Sequence, residues 1–288
     1  VKLIALVEEL AAQLDAAEVS FGHGTTNAFD EAVWLVLWHL GLPLDELDAH
    51  ADRELQPQEQ QAARELLQRR ITTRKPAAYL TREAWLQGIP FYVDERAIVP
   101  RSLIAELLAD GSIDPWLSDQ THRVLDLCTG NGSLAVLAAM AYPDVVVEAA
   151  DISEDALEVA RINVDKHGLA DRVRLVQSDG LAALHGPYDL VLCNPPYVNA
   201  QSMAALPAEY RAEPALALAG GHDGMDFVGA LLRDAPSRMS QGAVLVLEIG
   251  NERAHFEAAF PRLEAVWLET TAGDDQVLLL TREAIAGT

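Results

Sequence analysis

Three short segments hold side chains whose types and spacing could do chemistry. The first is Asp126-Leu127-Cys128-Thr129-Gly130-Asn131-Gly132, in which Gly130 and Gly132 would let the backbone approach a ligand with no Cβ in the way. The spacing is not Gly-x-Gly-x-x-Gly and no Lys follows it, so the marks of a phosphate cradle are missing. Asp126 at the lip suits a cationic amine better than a pyrophosphate. The second is Asp151, a carboxylate able to accept both hydroxyls of a ribose, which alone reads equally well as a charge at a helix start. The third is Asn194-Pro195-Pro196-Tyr197. A Pro-Pro turn can simply end a strand, but the tetrapeptide is more specific. Asn194 supplies a side-chain carbonyl, the prolines fix a main-chain carbonyl beside it, and Tyr197 offers a flat face. Two acceptors and an aromatic wall make a receptor for a planar –NH2 group.

Together these segments describe methyl transfer. The sulfonium of S-adenosyl-L-methionine carries a positive charge and a ribose but no phosphate, which matches a loop of acids without an anion cradle. The acceptor would be a planar amide or aromatic amine. Hydrogen bonds to both of its N–H groups would orient the nitrogen and stabilise the charge that develops, so catalysis is expected to be positioning and electrostatics. None of the eight histidines sits in a triad-like setting, and none is assigned a role.

The rest of the chain must place these segments at one end of a sheet. After Pro100 apolar strands alternate with helices: Val124 to Leu127, a helix from Leu134 to Ala141, Val145 to Ala150, and a helix capped by Ser153 and ended at Gly168. Strands at Val173 to Val176, Tyr188 to Cys193 and Gly242 to Ile249 follow, the last after a helix near Phe227 to Met239. Ala265 to Glu269 and Val277 to Thr281, joined by a Gly273-Asp274-Asp275 turn, must be antiparallel neighbours. The expectation is an α/β fold of the class I, Rossmann-like kind: a mainly parallel seven-stranded sheet with an antiparallel strand near its edge. Each of the three segments then follows a strand, where ligands of such sheets bind. Residues 1–75 read as a small helical domain, with Asn27 capping a helix that Gly41 stops and another from about Glu59 to Arg74. Residues 76–99 read as a β-hairpin linker, and 100–288 as the catalytic domain.

Composition narrows the field. Lys and Arg number 21 against 44 Asp and Glu, a net charge of −23. An enzyme that held DNA or RNA by its phosphates would want a basic stripe, and the balance here is strongly acidic, so no direct nucleic-acid binding is expected. Cys128 and Cys193 cannot build a disulfide framework, and no Cys/His spacing suits a metal. They end strands that should be neighbours and read as small buried fillers. No apolar run is long enough to span a bilayer and no signal peptide is apparent, so no membrane association and a cytoplasmic location are expected.

Asp126 to Gly132 followed by Asn194-Pro195-Pro196-Tyr197 resembles the class I methyltransferases that modify planar amino groups. Val99-Pro100-Arg101 and the preceding hairpin make the chain similar to the HemK-type protein-glutamine methyltransferases. Within these it is most similar to the branch acting on ribosomal protein L-three, through Phe21-Gly22-His23-Gly24-Thr25, Asp30-Glu31-Ala32-Val33, Pro100-Arg101-Ser102 and Cys128. Glu209-Tyr210-Arg211, Glu213-Pro214 and Ala272-Gly273-Asp274-Asp275-Gln276-Val277 add to the likeness, which covers almost the whole chain. The resemblance implies N-methylation of a glutamine amide in a large-subunit ribosomal protein, with S-adenosyl-L-methionine as donor. It implies that Asp126, Cys128, Thr129, Gly130, Asn131 and Gly132 wrap the methionine part of the donor. Asp151 and Ile152 would take the ribose, Asp179 and Gly180 the adenine, and Asn194 would touch the donor as well. Asn194, Pro195 and Tyr197 would act in catalysis, and Pro196 and Arg101 would join them in holding the substrate. Three departures from the pattern are visible: Asn131 and Ser133 where related loops vary, Gly180 where a bulkier residue is common, and Leu103 where proline is common.

The acidic balance then gains a use, because ribosomal proteins are basic. The expected partner is the free ribosomal protein before assembly, drawn in by charge, with the helical domain supplying specificity. Three alternatives share part of the pattern. A release-factor glutamine methyltransferase differs only in acceptor. An adenine-amino nucleic-acid methyltransferase would need the missing basic face. A non-catalytic assembly factor would have little use for Asp126, Asp151 and Asn194.

Overall fold

Apolar residues at helical spacing build the amino-terminal end of the computed structural model, which describes residues 1–287; Thr288, the last residue of the expected catalytic unit, lies outside them. Helix α1 (Leu3–Ala16) buries Leu3, Leu6, Val7, Leu10 and Leu14 along one stripe. Helix α2 (Ala28–Leu40) starts where the Asn27 side chain accepts the Asp30 N–H at 2.9 Å and stops at Gly41, whose φ of +63° few other residues adopt. The short α3 (Leu47–His50), then α4 (Pro57–Thr73) and α5 (Ala77–Thr81) complete this layer. The start of α4 lies two residues before Glu59, because Pro57 fits the first helical position and Glu59 reaches back to the Gln56 N–H at 2.8 Å. One core joins these helices, with Leu35, Leu37, Leu67 and Tyr79 inside it. Full burial of each aliphatic side chain is worth about 1.5–3 kcal/mol.

Strands β1 (Ala84–Leu86) and β2 (Ile89–Phe91) form the expected hairpin around Gln87 and Gly88, both at positive φ as a tight two-residue turn requires. The remaining chain runs α6 (Ile104–Ala109), β3 (Arg123–Leu127), α7 (Ser133–Ala141), β4 (Val146–Asp151), α8 (Glu154–Lys166), β5 (Val173–Gln177) and β6 (Tyr188–Cys193). It continues through α9 (Ala200–Ala205), α10 (Asp226–Asp234), β7 (Met239–Glu248), α11 (Arg253–Ala259), β8 (Val266–Thr270), β9 (Gly273–Thr281) and α12 (Arg282–Ala286).

The large sheet has seven strands in the order β5-β4-β3-β6-β7-β9-β8, with β9 antiparallel to both neighbours and the remaining pairs parallel. Its strands read as continuous apolar runs because both faces are covered. Val124, Leu190, Val244 and Leu279 point into one core, while Leu125, Val191, Leu245 and Leu280 point into the other. Several boundaries differ from the sequence reading, two of them for evident reasons. Helix α10 ends at Asp234, short of Met239, because Pro236 has no N–H to continue it. Thr270 pairs with Gly273, so the final turn is Thr271-Ala272 and Gly273-Asp274-Asp275 belong to β9. Among the described residues no helix is long and apolar enough to cross a membrane.

Candidate active site

The winding reverses between β3 and β6, which lie side by side with Leu127 opposite Cys193. Loops leaving the carboxyl ends of such strands diverge and leave a crevice, and a cavity of about 630 Å3 opens there. Cys128, Thr129, Gly130 and Asn131 line it from the β3 loop, Asp151 and Ile152 from β4, and Asp179 and Gly180 from the loop after β5. Asn194, Pro195, Pro196 and Tyr197 face them after β6, and Arg101 enters from the loop before α6.

Two residues expected in this wall are elsewhere. Asp126 is wholly buried beneath the loop, where its Oδ2 accepts the Thr129 hydroxyl and the Ala135 N–H at 3.0 Å. It ties the loop to the first turn of α7 and does not line the cavity. The Ser133 N–H goes to Asn131 Oδ1 at 3.2 Å, so the start of α7 is capped from within rather than open to an anion. Burial pushes the Asp126 carboxyl up to about 7, its two hydrogen bonds restraining the rise, and its Oδ1 has no partner. Gly132 is the other residue outside the cavity lining: a Cβ there would lie 3.0 Å from the Ala160 Cβ, so its bareness serves close packing of the loop against α8.

Asp151 stands in the wall as expected. Its Oδ2 accepts the Gly130 N–H and its Oδ1 the Ser153 N–H, each at 2.9 Å, which leaves lone pairs on both oxygens for a diol. Burial raises its pKa despite these bonds. Gly180 has open space where a Cβ would be, so this part of the wall is bare. The Asp151 and Asp179 carboxylates and main-chain groups form this side, no lysine lines it among the described residues, and Arg96, which also lines the cavity, is paired with Asp94 at 2.8 Å. That donor set fits a cationic, ribose-bearing donor and suits a pyrophosphate poorly.

Across the crevice, neither the Asn194 side chain nor the Pro195 carbonyl has a hydrogen-bond partner among the described residues, although Pro195 is buried. Polar groups left open at a pocket wall are free to bond a ligand or water. Tyr197 lies against Gly250, where a Cβ would come within 2.5 Å of its ring, and its hydroxyl donates to Glu248 Oε1 at 3.2 Å. Glu248 also accepts the Ser102 hydroxyl at 2.6 Å and the Leu103 N–H at 2.9 Å. Burial raises the pKa of Glu248, and one carboxyl at the end of β7 thus fixes both the tetrapeptide and the loop carrying Arg101.

Arg101 reaches the wall, but its guanidinium is already engaged: Nη1 and Nη2 each meet a different Glu213 oxygen at 2.7 Å. It buttresses the pocket instead of offering a free charge. Burial alone would raise the Glu213 carboxyl, yet His23, at 3.4 Å, and Arg101 outweigh it and hold the group at about 2. Glu213 also accepts the Val99 N–H at 2.9 Å. It lies on the strap, residues 206–220, which lines the crevice with Tyr210, Pro214 and Leu218. Nearby, Glu209 meets Arg70 at 3.2 Å and Arg74 at 3.1 Å, while Arg70 also binds Glu31 at 2.7 Å, all but Arg74 being buried. Glu209, Glu213 and Glu248 stand at the site beside the residues expected there from the sequence. The signal available for the strap was a pair of acids, in Glu209-Tyr210-Arg211 and Glu213-Pro214, whose partners lie more than a hundred residues away. Cys128 and Cys193 are free, and burial raises the Cys193 thiol well above its ordinary pKa.

A seven-stranded sheet of this order, with an acid-lined crevice at its reversal, defines a Rossmann-like methyltransferase. Residues 108–211 match the family described as Methyltransferase small domain, and residues 6–81 match the PrmC N-terminal domain. The hMettl16 catalytic domain in complex with MAT2A 3'UTR hairpin 1 has a similar fold, with a TM-score of 0.53 at 15% identity over 82% of this chain and 83% of that one. A ribosomal protein uL3 glutamine methyltransferase of Bordetella pertussis is 56% identical over 97% of this chain and 95% of its own. One of Burkholderia pseudomallei is 53% identical over 96% and 92%. The chain belongs to the family of ribosomal protein uL3 glutamine methyltransferases.

Proposed function

We propose that this chain transfers the methyl group of S-adenosyl-L-methionine to the side-chain amide nitrogen of a glutamine in ribosomal protein uL3. The observation that carries this reading is the pair of unpartnered acceptors, Asn194 Oδ1 and the Pro195 carbonyl, set across one cavity from the Asp151 carboxylate. The donor supplies an electrophilic methyl on a cationic sulfur. Asp151 accepts from its ribose, the Cys128 to Asn131 backbone follows its methionine part, Ile152 covers the ribose edge, and Asp179 and Gly180 border the adenine.

On the substrate side, Asn194 and Pro195 each accept one amide N–H. This turns the nitrogen lone pair toward the methyl and opposes its delocalisation into the carbonyl. Tyr197, held by Glu248 and seated on Gly250, forms the wall against which the carboxamide lies. The amide proton becomes acidic only as the N–C bond forms, so it can leave to water without a strong base. Orientation of this kind can supply up to about 7–11 kcal/mol of a barrier. Residues 100–288 form the catalytic unit in this reading, 1–75 the helical unit that selects the substrate, and 76–99 the link between them, which holds α5 and the β1-β2 hairpin. The protein substrate is the free, basic ribosomal protein, attracted by the net charge of −23.

The test is to incubate the protein with labelled donor and, separately, uL3 before assembly, release factors and RNA, then locate the label by mass. Label on a glutamine of uL3, abolished by Asn194→Ala while donor binding persists, is the expected result. Label confined to a release factor or to RNA, or full activity in Asn194→Ala, would overturn the assignment.

A further inference from the structure

A second cavity, of about 730 Å3, lies away from the crevice, between α2 and the β1-β2 hairpin. Three of the chain's five tryptophans line it: Trp34 and Trp38 from α2 and Trp85 from the hairpin. Trp85 is 43% exposed, an uncommon position for so large an apolar ring. Its indole N–H donates to Glu83 Oε1 at 3.0 Å, which ties the ring to an acid that lines the same cavity. Asp45 and Glu83 supply the charge, and no Lys, Arg or His lines the cavity among the described residues. The catalytic reading uses none of these residues.

Indole faces joined by carboxylates and free of cations make a receptor for a guanidinium or ammonium group, because the ring quadrupole and the acids attract the same charge. The cavity is also close in the chain to the crevice. Gly24 lines it, and the adjacent His23 packs its ring 4.3 Å from that of Tyr210, which lines the crevice. A protein held here would therefore be held near the point where its glutamine must react.

We propose that the tryptophan groove is a docking site for a Lys- or Arg-bearing, partly apolar segment of the uL3 substrate, separate from the segment that carries the glutamine. The inference rests on the assigned activity for the identity of its partner, and charge complementarity between an acidic groove and a basic protein selects that partner over others. Docking of this kind lowers KM for the whole protein and leaves the chemical step alone.

The experiment titrates purified, unassembled uL3 into the full chain in the presence of S-adenosylhomocysteine and, in parallel, measures methylation kinetics. The variants are Trp85→Ala and the double replacement Asp45→Asn with Glu83→Gln, the second leaving every ring in place. Each is expected to raise both Kd and KM for uL3 by about tenfold, with kcat and the affinity for S-adenosylhomocysteine unchanged. Unaltered Kd and KM in both variants would overturn the proposal. So would a wild-type dimer that Trp85→Ala dissociates, since the groove would then hold a second copy. If the wild type binds uL3 without methylating it, the assigned activity fails and Kd alone decides the groove. If it neither binds nor methylates uL3, both readings fall.

Discussion

Glu213→Gln removes one charge from a buried cluster and leaves its shape nearly unchanged. In the folded protein the carboxyl sits at about 2, against an ordinary value of 4.5, because His23 and two Arg101 hydrogen bonds outweigh its burial. A carboxyl depressed on folding adds stability that is complete above its unfolded value and disappears as pH falls through its folded value. Here the window runs from 4.5 down to about 2. The step is worth about 3 kcal/mol at pH 7 and about 1 kcal/mol at pH 3. The first figure agrees with the roughly 3–5 kcal/mol lost when a buried ion pair keeps only one partner. For a chain of this size about 2 °C accompanies each kcal/mol. Glu213→Gln should therefore lower Tm by about 6 °C at pH 7 and about 2 °C at pH 3, read by calorimetry on both proteins. An equal fall at the two pH values would show that packing matters and the charge does not. No fall at pH 7 would refute the cluster's role altogether.

Asp151→Ala should weaken S-adenosylmethionine binding by about 10- to 100-fold in calorimetric titration, as expected for the loss of charge-assisted bonds to a diol. Gly250→Ala should push Tyr197 out of place, since the new Cβ would lie 2.5 Å from its ring; kcat falls about tenfold or more with donor affinity unchanged. Asp126 keeps its proton in the fold up to about 7, above the ordinary 3.8, so it favours the fold less as pH climbs from about 4 to 7. Asp126→Asn should then stabilise by at most about 4 kcal/mol at pH 8 but only about 2 kcal/mol at pH 5, seen as a gap in Tm that widens with pH.

The sheet was readable in the sequence because its local and global rules agree. Apolar strands, Ser153, Gly168 and the Asn27 and Gly41 caps each encode one boundary through their own backbone chemistry. The crevice was readable for a related reason: a parallel sheet sends its loops to a known end, so Cys128, Asp151 and Asn194 had to converge. Direction within a loop was not readable. Asp126 looks the same on paper whether it faces a ligand or caps α7 from below, and only the fold separates the two. The strap was hidden as well, because Glu209 and Glu213 take their meaning from Arg70, Arg74 and Arg101, which are distant in sequence. Arg101 itself was recognised, but its occupation by Glu213 depends on the same long-range pairing.

The strap gives the helical layer and the methylation crevice a common wall. Tyr210 faces the crevice, while Glu209 and Glu213 on either side of it are clasped by Arg70 of α4 and by His23 of the loop between α1 and α2. Such a layer cannot be exchanged like a cartridge. A chimera that grafts the helices of a distant relative onto this sheet would strand Glu209 in the interior, leave Glu213 to Arg101 alone and slacken the ceiling of the reaction chamber. Changes in which protein is recognised must therefore spread through coordinated replacements along this seam, with substrate choice and catalytic competence inherited together.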